Sequence, residues 1–249
     1  MGITKIKKKG LSPSEEQILS ILEYKKIDII KKEELINLIK KHVSIKDVDY
    51  LIEKLLYKKR IKIIKKGMYL VIPISSIDQN RSMDELKIIN YLLEKDYYIG
   101  LYNAFNYHGF TEQIPNKTFI FNTKYSSEKE FLNHKFKFFK IKKSKIFGIL
   151  KNNYSDKERT IIDSLNYFEY FGNLSSVFEK IKLIKYNEKK LIDYSIKFNS
   201  IKVLKLIGYI TNSEKIYNVL KKKNALSYYT TIKKTNMKLL HKKWKLRLI

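Results

Sequence analysis

The chain of 249 residues carries 52 Lys or Arg residues against 25 Asp or Glu residues, which gives a formal net charge of +27, and it has no cysteine. The lack of cysteine excludes disulfides, thiolate zinc sites and a cysteine nucleophile. No apolar run reaches the ~18 residues that a membrane span needs, and the start lacks a signal-peptide pattern, so we expect a cytoplasmic protein with no membrane partner. The charge predicts a partner with many phosphates, and an AT-rich coding bias toward lysine contributes to the same excess.

Residues 1–80 show the pattern of three short helices followed by a two-stranded hairpin. The predicted elements are, in chain order, a helix opened by a capping box at 14–17 and ending near Lys26, a short strand or connector at 27–30, a helix at 32–41, a helix capped at 44–47, and two strands about a Lys65-Lys66-Gly67 turn. This order is that of a winged helix-turn-helix, in which the third helix enters the major groove of DNA beside the hairpin. A solvated helix with an ordinary surface hairpin is the alternative.

The third helix and the hairpin supply the candidate DNA contacts of this domain. We expect Tyr50 to touch a base edge and nearby lysines to bind phosphates; these lysines are Lys46, Lys54, Lys62, Lys65 and Lys66. Three carboxylates oppose the assignment: Asp47 completes the helix cap, whereas Asp49 and Glu53 would face phosphates at a cost. Because only four basic residues of the chain are arginine, phosphate contact should outweigh base readout and make binding strongly salt-dependent.

Residues 81–249 form the predicted second domain, because the pattern turns polar and loses its period at 75–80. The predicted elements are helices at 84–94 and about Ala104, strands at 118–123, 136–142 and 145–150, a helix opened by a capping box at 155–158, helices at 176–183, 188–199, 200–210 and 213–223 broken by Gly172 and Gly208, and a closing strand at 243–249 that returns to the sheet. Strands followed by helices indicate an α+β fold, with a small sheet and a C-terminal helical array.

The second domain is the more basic one and presents a second candidate surface. Seven lysines and no carboxylate occur from Phe131 to Ser155, and eleven basic residues and no carboxylate occur from Lys215 to Ile249. We predict that this domain contributes to DNA binding through Lys137, Lys142, Lys143, Lys221, Lys222 and Lys223. A solvated lysine face produced by the coding bias is the alternative, and RNA or an acidic protein partner are other destinations.

The sequence offers no convincing catalytic or metal site. The four histidines are scattered without a paired ligand, so neither a metal nor a cofactor is expected. His108 stands before a glycine and is interpreted as a turn or packing residue. Glu158, Arg159 and Asp163 could form a polar active site, but an ion pair that fixes a helix to the sheet is the commoner meaning. With no glycine-rich phosphate loop and no carboxylate cluster, we expect no enzyme.

The order of landmarks along residues 14–249 resembles the AbiEi antitoxins of type IV toxin-antitoxin systems. The matching motifs are Gly67-Met68-Tyr69-Leu70-Val71-Ile72-Pro73, Tyr98-Ile99-Gly100-Leu101-Tyr102-Asn103-Ala104-Phe105, His108-Gly109-Phe110-Thr111-Glu112-Gln113-Ile114-Pro115, Phe147-Gly148, Asp156-Lys157-Glu158-Arg159-Thr160-Ile161-Ile162-Asp163, Leu206-Ile207-Gly208 and Lys243-Trp244-Lys245-Leu246. The chain departs from the family pattern at Gly172-Asn173, where a glycine pair is common, and at Lys205, where an arginine is usual.

The resemblance implies a winged helix coupled to an α+β antitoxin domain. The protein would repress its own operon by binding repeats in the promoter, and it would counteract a nucleotidyltransferase-like toxin without requiring a stable complex. A monomer that binds cooperatively and a dimer are both open. The rival hypothesis is a winged-helix regulator with no toxin partner, whose second domain senses a ligand or dimerises. A toxin-like reading frame beside the gene distinguishes the two.

Overall fold

A computed structural model of the chain describes residues 10–74, 85–93, 96–131, 134–233, 235–236 and 238–249. The chain divides into two compact units, Met1–Tyr91 and Leu92–Ile249. The domain boundary predicted at 75–80 lies outside the described residues. Helices and small sheets occur together, which confirms the α+β class. Within the described ranges, no helix combines the length and the apolar character needed to cross a membrane.

The first unit packs three helices against a three-stranded antiparallel sheet. Its elements are α1 (Pro13–Tyr24), β1 (Ile29–Lys31), α2 (Lys32–His42), α3 (Val48–Tyr57), β2 (Ile61–Lys65) and β3 (Met68–Val71). β3 is the central strand and pairs with both β1 and β2. The helices bury one cluster of apolar side chains, which includes Ile18, Leu22, Leu35, Ile39, Leu51 and Leu55. Of the two alternatives for 27–30, the strand is the one observed.

The start of α1 differs from the prediction. Ser12 is the N-cap and Pro13 is the first helical residue, and the Ser12 backbone N–H donates to the Glu15 carboxylate at 2.6 Å. The capping box predicted at 14–17 is therefore wrong in register, because proline is favourable at a first helical position and the helix starts there. Lys58 Nζ also donates to Glu15, at 2.6 Å. Burial raises the pKa of Glu15, but the bonds from Lys58 and Ser12 outweigh it and lower that pKa.

The second unit combines a four-stranded sheet, an array of helices and a separate three-stranded sheet. Helix α4 (Glu85–Leu93) spans the division between the units, and it is followed by β4 (Tyr97–Ile99), α5 (Leu101–Tyr107), β5 (Thr118–Asn122), β6 (Ser127–Phe131), β7 (His134–Lys140), α6 (Lys157–Asn166), α7 (Leu174–Lys182), α8 (Glu188–Phe198), α9 (Ile201–Thr211), α10 (Glu214–Lys222), β8 (Thr230–Ile232), β9 (Leu239–His241) and β10 (Leu246–Leu248). The larger sheet has the order β4-β5-β7-β6, with β5 and β7 parallel and β6 at one edge.

Several predictions for the second unit are wrong in detail. In place of the strand at 145–150 there is a 3-10 turn at Lys143–Lys145 and an irregular segment, in which Gly148 has a φ of 67° that a strand does not accommodate. The strand β6 is not predicted, because its polar sequence carries no apolar alternation. The closing strand exists as β10, but it joins β8 and β9 in the small sheet and does not return to the larger one. Gly208 lies inside α9 and does not break it.

Helix α6 is buried in the second unit. An ion pair between two of its residues is hydrogen-bonded to strand β4 of the larger sheet. Arg159 Nε donates to Asp163 Oδ2 at 3.1 Å, and Arg159 Nη2 donates to the Tyr98 hydroxyl at 2.5 Å. Tyr98 belongs to β4 and donates in turn to Asp163 Oδ2 at 3.0 Å. The arrangement agrees with the predicted ion pair that fixes a helix to the sheet.

The cap of α6 differs from the capping box predicted at 155–158. Asp156 is the N-cap and accepts a hydrogen bond from the Arg159 backbone N–H at 2.9 Å. Ser155 shares a hydrogen bond with the Thr160 hydroxyl instead, at 2.8 Å. Glu158 does not reach back to the cap, because it accepts from the Asn187 backbone N–H at 2.8 Å. An aspartate one residue later therefore takes the capping role that the pattern gives to Ser155.

Lys205 is a fully buried lysine in the middle of α9. Its Nζ donates to the backbone carbonyl of Tyr228 at 2.8 Å and to that of Lys245 at 3.3 Å. Both partners are neutral carbonyls. Burial lowers the pKa of Lys205 to about 8, and the charge of Lys245 contributes to the same shift. A neutral amine still has two N–H groups for the two carbonyls, so the fold tolerates loss of the proton.

Stability should therefore rise with pH because of Lys205. The folded pKa lies below that of the unfolded chain, so the unfolded chain binds more protons between them and the folded state gains as pH rises through that window. We expect wild type to gain at most about 1.4 kcal/mol per pH unit over Lys205→Met between pH 8 and 10. Urea unfolding midpoints across this range measure the difference. Lys221→Met, at an exposed lysine, should keep the wild-type profile, and parallel profiles for wild type and Lys205→Met contradict the expectation.

Candidate nucleic-acid interface

Helix α3 buries one face and presents a polar face to solvent. Leu51 and Leu55 are buried in the cluster shared with α1 and α2, whereas Tyr50 is 51% exposed. The Lys54 Nζ lies 4.4 Å from the centre of the Tyr50 ring. The two predicted contact residues of this helix thus form a cation–π pair on its outer face.

The N-terminus of α3 is set by Asp47. Its carboxylate accepts a hydrogen bond from the Tyr50 backbone N–H at 2.9 Å, and the helix begins at Val48. The predicted cap at 44–47 has the right location, but the capping residue is Asp47 and not Ser44. Ile45 packs against the apolar cluster ahead of the helix. Lys46 therefore lies just before α3, where it is exposed.

The acidic residues of α3 oppose a nucleic acid less than their number indicates. Asp47 is used as the cap, and Asp49 forms an ion pair with Lys32 on α2, at 2.9 Å. The hydrogen bond to Asp49 raises the pKa of Lys32. Glu53 is exposed on the outer face, so it is the carboxylate of this helix that still opposes a phosphate backbone.

The hairpin of β2 and β3 carries the remaining candidate lysines of the first unit. Its tip turns through Lys66 and Gly67, and the positive φ of 74° at Gly67 is the reason that glycine suits this turn. Lys65 and Lys66 are exposed at the tip, and Lys62 is half-buried on β2. The strand pairing is irregular between Ile63 and Lys65.

Ile63 is an exposed residue at this irregularity that the sequence pattern does not predict. Ile63 is 62% exposed on the hairpin, although an isoleucine in a β-strand is normally half-buried. The only signal in the sequence is the break of alternation at Ile63-Ile64. A bulge increases the local twist and redirects side chains, which accounts for an apolar side chain next to the cationic tip.

The candidate lysines of the second unit lie in two separate regions. Lys137 on β7 forms an ion pair with Glu128 at 3.2 Å, and Lys143 pairs with Asp96 at 3.1 Å. Lys142 is exposed at the start of the 3-10 turn that follows β7. The other three end α10 and are all exposed: Lys221, Lys222 and Lys223. The end of α10 therefore offers the denser group of exposed charge, while Lys137 and Lys143 each form an ion pair with a carboxylate.

The histidines and carboxylates of the described residues form no cluster of three that could hold a metal ion. His108 is the C-cap of α5 and its Nε2 lies 2.8 Å from the Ser155 carbonyl oxygen. Burial lowers the pKa of His108 below its ordinary value. The position agrees with the predicted turn and packing role.

Comparisons with known proteins give a likeness of fold. No protein-family model matches the chain, and no curated protein matches it. Among solved structures, the crystal structure of the RV2827C protein from Mycobacterium tuberculosis aligns with a TM-score of 0.67 over 96% of this chain and 92% of that chain, at 12% sequence identity. At this identity the likeness shows a shared fold alone.

Proposed function

We propose that residues 10–74 form a winged-helix domain that binds double-stranded DNA, with α3 in the major groove and the hairpin of β2 and β3 on the backbone. The observation that carries the proposal is that one unit presents the Tyr50–Lys54 pair on the outer face of α3 and the exposed Lys65 and Lys66 on the hairpin that follows it. The element order of three helices and a hairpin supports the same assignment.

The contacts then divide by chemistry. Lys46 lies just before α3 and Tyr50 lies in its first turn. The N-terminal end is the part of a recognition helix that reaches base edges. The Tyr50 hydroxyl can donate to or accept from a base, whereas a lysine binds phosphate as a point charge. Lys65 and Lys66 lie at the hairpin tip, where the backbone passes a wing. Phosphate binding should therefore dominate affinity and Tyr50 should contribute discrimination.

Removal of the hairpin lysines should weaken binding to every duplex. For Lys65→Ala with Lys66→Ala, two phosphate contacts are lost, so the slope of log affinity against log salt should fall by roughly two. Affinity for the promoter of the protein's own gene and for an unrelated duplex should fall by similar factors, because phosphate contacts carry no sequence information. Fluorescence anisotropy across a salt series measures both quantities.

A matched pair on α2 provides the control for the hairpin. Lys40→Ala with Lys41→Ala removes the same charge from two exposed positions in the last turn of α2. This control should keep a slope close to the wild-type slope. An unchanged slope in the hairpin variant would show that the hairpin does not lie on the backbone.

We also propose that the second unit binds the same duplex, chiefly through the end of α10. In the full chain, replacing Lys221, Lys222 and Lys223 by alanine should lower the salt slope for the promoter by up to about three. The control removes three other exposed lysines of that unit, Lys182, Lys185 and Lys189. Equal slopes of log affinity against log salt for wild type and the α10 variant would contradict this part of the proposal.

The biological role that we propose is an antitoxin that represses its own toxin-antitoxin operon and counteracts a nucleotidyltransferase-like toxin. What supports it is the ordered set of motifs by which the sequence resembles the AbiEi antitoxins. Expression of the neighbouring reading frame should arrest growth, and co-expression of this chain should restore it. A reporter fused to the upstream promoter should be repressed by this chain alone. Repression without any neighbouring toxin supports the rival, a winged-helix regulator with a different second-domain function.

A further inference from the structure

The three-stranded sheet of β8, β10 and β9 has one buried and one exposed face. β10 is the central strand, parallel to β8 and antiparallel to β9. Ile232, Leu246 and Leu248 point into the apolar core of the unit. The residues between them point the other way, and Arg247 is paired with Thr231 on one side and with Leu240 on the other. We call this outward side the C-terminal sheet face.

The C-terminal sheet face is cationic and carries an aromatic ring. The Lys245 Nζ and the Arg247 guanidinium carbon lie 5.0 Å and 5.7 Å from the centre of the Tyr229 ring. Lys233 and Lys238 are exposed at the far end of the neighbouring strands. No aspartate or glutamate occurs from Lys215 to the last residue of the chain, so no side-chain carboxylate from this stretch offsets these charges.

Apolar and hydroxyl groups lie among the cations. Leu240 is 54% exposed on the edge strand β9, and Thr231 is exposed beside Arg247. With strands about 4.8 Å apart, the face is roughly 10 Å across. A surface of this kind offers phosphate ligands, a ring for stacking and an apolar contact within the reach of a few nucleotides.

We infer that the C-terminal sheet face binds single-stranded RNA. Stacking on Tyr229 requires a base whose face is free, and the bases of a duplex are stacked on one another, so the ring selects for unpaired nucleotides. RNA is the nucleic acid that regularly presents such bases. The Thr231 hydroxyl can both donate and accept, which matches a ribose 2′-hydroxyl.

The contacts on the face have distinct roles. A base that stacks on the Tyr229 ring displaces the Lys245 ammonium, which now lies over that ring. The displaced ammonium is then free to bind the adjoining phosphate. Arg247, at the centre, binds a second phosphate or stacks its guanidinium on the next base. Leu240 contacts the edge of a neighbouring base. This site is independent of the duplex site proposed for the first unit.

The test uses the full chain and three labelled probes at fixed salt: a 12-nucleotide oligo(U), a 12-nucleotide oligo(dT) and a duplex from the promoter. Thr231→Glu places a carboxylate beside Arg247 on the face, and Tyr229→Leu removes the ring. Each should weaken oligo(U) binding at least tenfold while the duplex Kd stays within twofold. The variant with alanine at Lys65 and Lys66 should do the reverse, so failure of the duplex proposal is recognised separately.

Charge alone is controlled by comparing Arg247→Gln with Lys182→Gln, which removes one exposed charge from the end of α7. Circular dichroism of each variant confirms that the fold is kept. A larger loss of oligo(U) affinity in Arg247→Gln supports the assignment. Equal losses, unchanged affinity in Thr231→Glu and Tyr229→Leu, or tighter binding of oligo(dT) than of oligo(U) overturn it.

Discussion

Replacing Asp163 by leucine should lower the free energy of unfolding by about 3 to 5 kcal/mol. Asp163 is fully buried and holds Arg159, which is also fully buried. Complete burial raises the pKa of Asp163, and the guanidinium limits that rise. Without the carboxylate, Arg159 would keep its charge in the interior with the Tyr98 hydroxyl as its remaining hydrogen-bond partner among the contacts described above. Urea unfolding followed by circular dichroism measures the loss.

The double variant with Asp163→Leu and Arg159→Met provides the decisive comparison. It removes the guanidinium charge that the single variant leaves buried without its carboxylate. A methionine at this position can pack on three rings whose centres lie 4.6 to 5.0 Å from the guanidinium carbon, those of Phe147, Phe198 and Tyr98. Part of the lost stability should return, because apolar replacement of a whole buried ion pair is often neutral or better. The buried Tyr98 hydroxyl loses both of these partners, which limits the recovery by about 1 to 3 kcal/mol. If single and double variants are equally unstable, the carboxylate does not act by balancing Arg159.

The second large effect is expected for Gly208→Ala in α9. A Cβ built on Gly208 would lie 2.5 Å from Trp244 Cζ3 and 2.6 Å from Cε3. Trp244 is 1% exposed and packs edge-on against Tyr217, so a shift of its ring would disturb the packing around it. Overpacking costs about 1 to 3 kcal/mol and occasionally more, and an approach of 2.5 Å to a buried ring belongs at the upper end of that range. This cost exceeds the ~1 kcal/mol that alanine gains in helix propensity over glycine. Thermal unfolding of the two proteins gives the difference.

A double-mutant cycle isolates the Trp244 clash. In a Trp244→Ala background the space beside residue 208 is open, so Gly208→Ala should cost nothing and should gain up to about 1 kcal/mol from helix propensity. The change of sign between the two backgrounds is the expected result. The same cost in both backgrounds would place the constraint on the helix backbone and not on the ring.

The helices were predictable because each carries a strong 3.6-residue apolar period. α2, α8 and α10 begin and end within two residues of their predicted bounds. The caps were less predictable, since several adjacent residues can cap. Ser14 and Ser155 suggest capping boxes, but Ser12 and Asp156 are the N-cap residues. The Asp156 carboxylate accepts from a free N–H group of its helix, whereas Ser12 makes no such side-chain bond and its backbone N–H donates to Glu15.

The small strands were the least predictable elements. β6 is polar and short. It forms because it pairs with β7 and not because its residues favour a strand. The sheet joined by β10 depends on β8 and β9, which are three residues each and give no periodic signal. On the candidate interface, Tyr50 and the lysines were predicted from the sequence. The ion pair of Asp49 with Lys32 and the exposure of Ile63 were not, because both depend on packing between elements.

The edge strand β6 has a further consequence for self-association. An exposed edge can template a strand from another copy of the chain. If two copies paired antiparallel about Lys129, each Glu128 would face the other copy's Glu130 and the two Lys129 side chains would face each other. Like charges directly opposite are destabilising in a sheet. The charged sequence of β6, which also made the strand hard to predict, therefore disfavours this two-fold antiparallel pairing of two copies at this edge of the larger sheet.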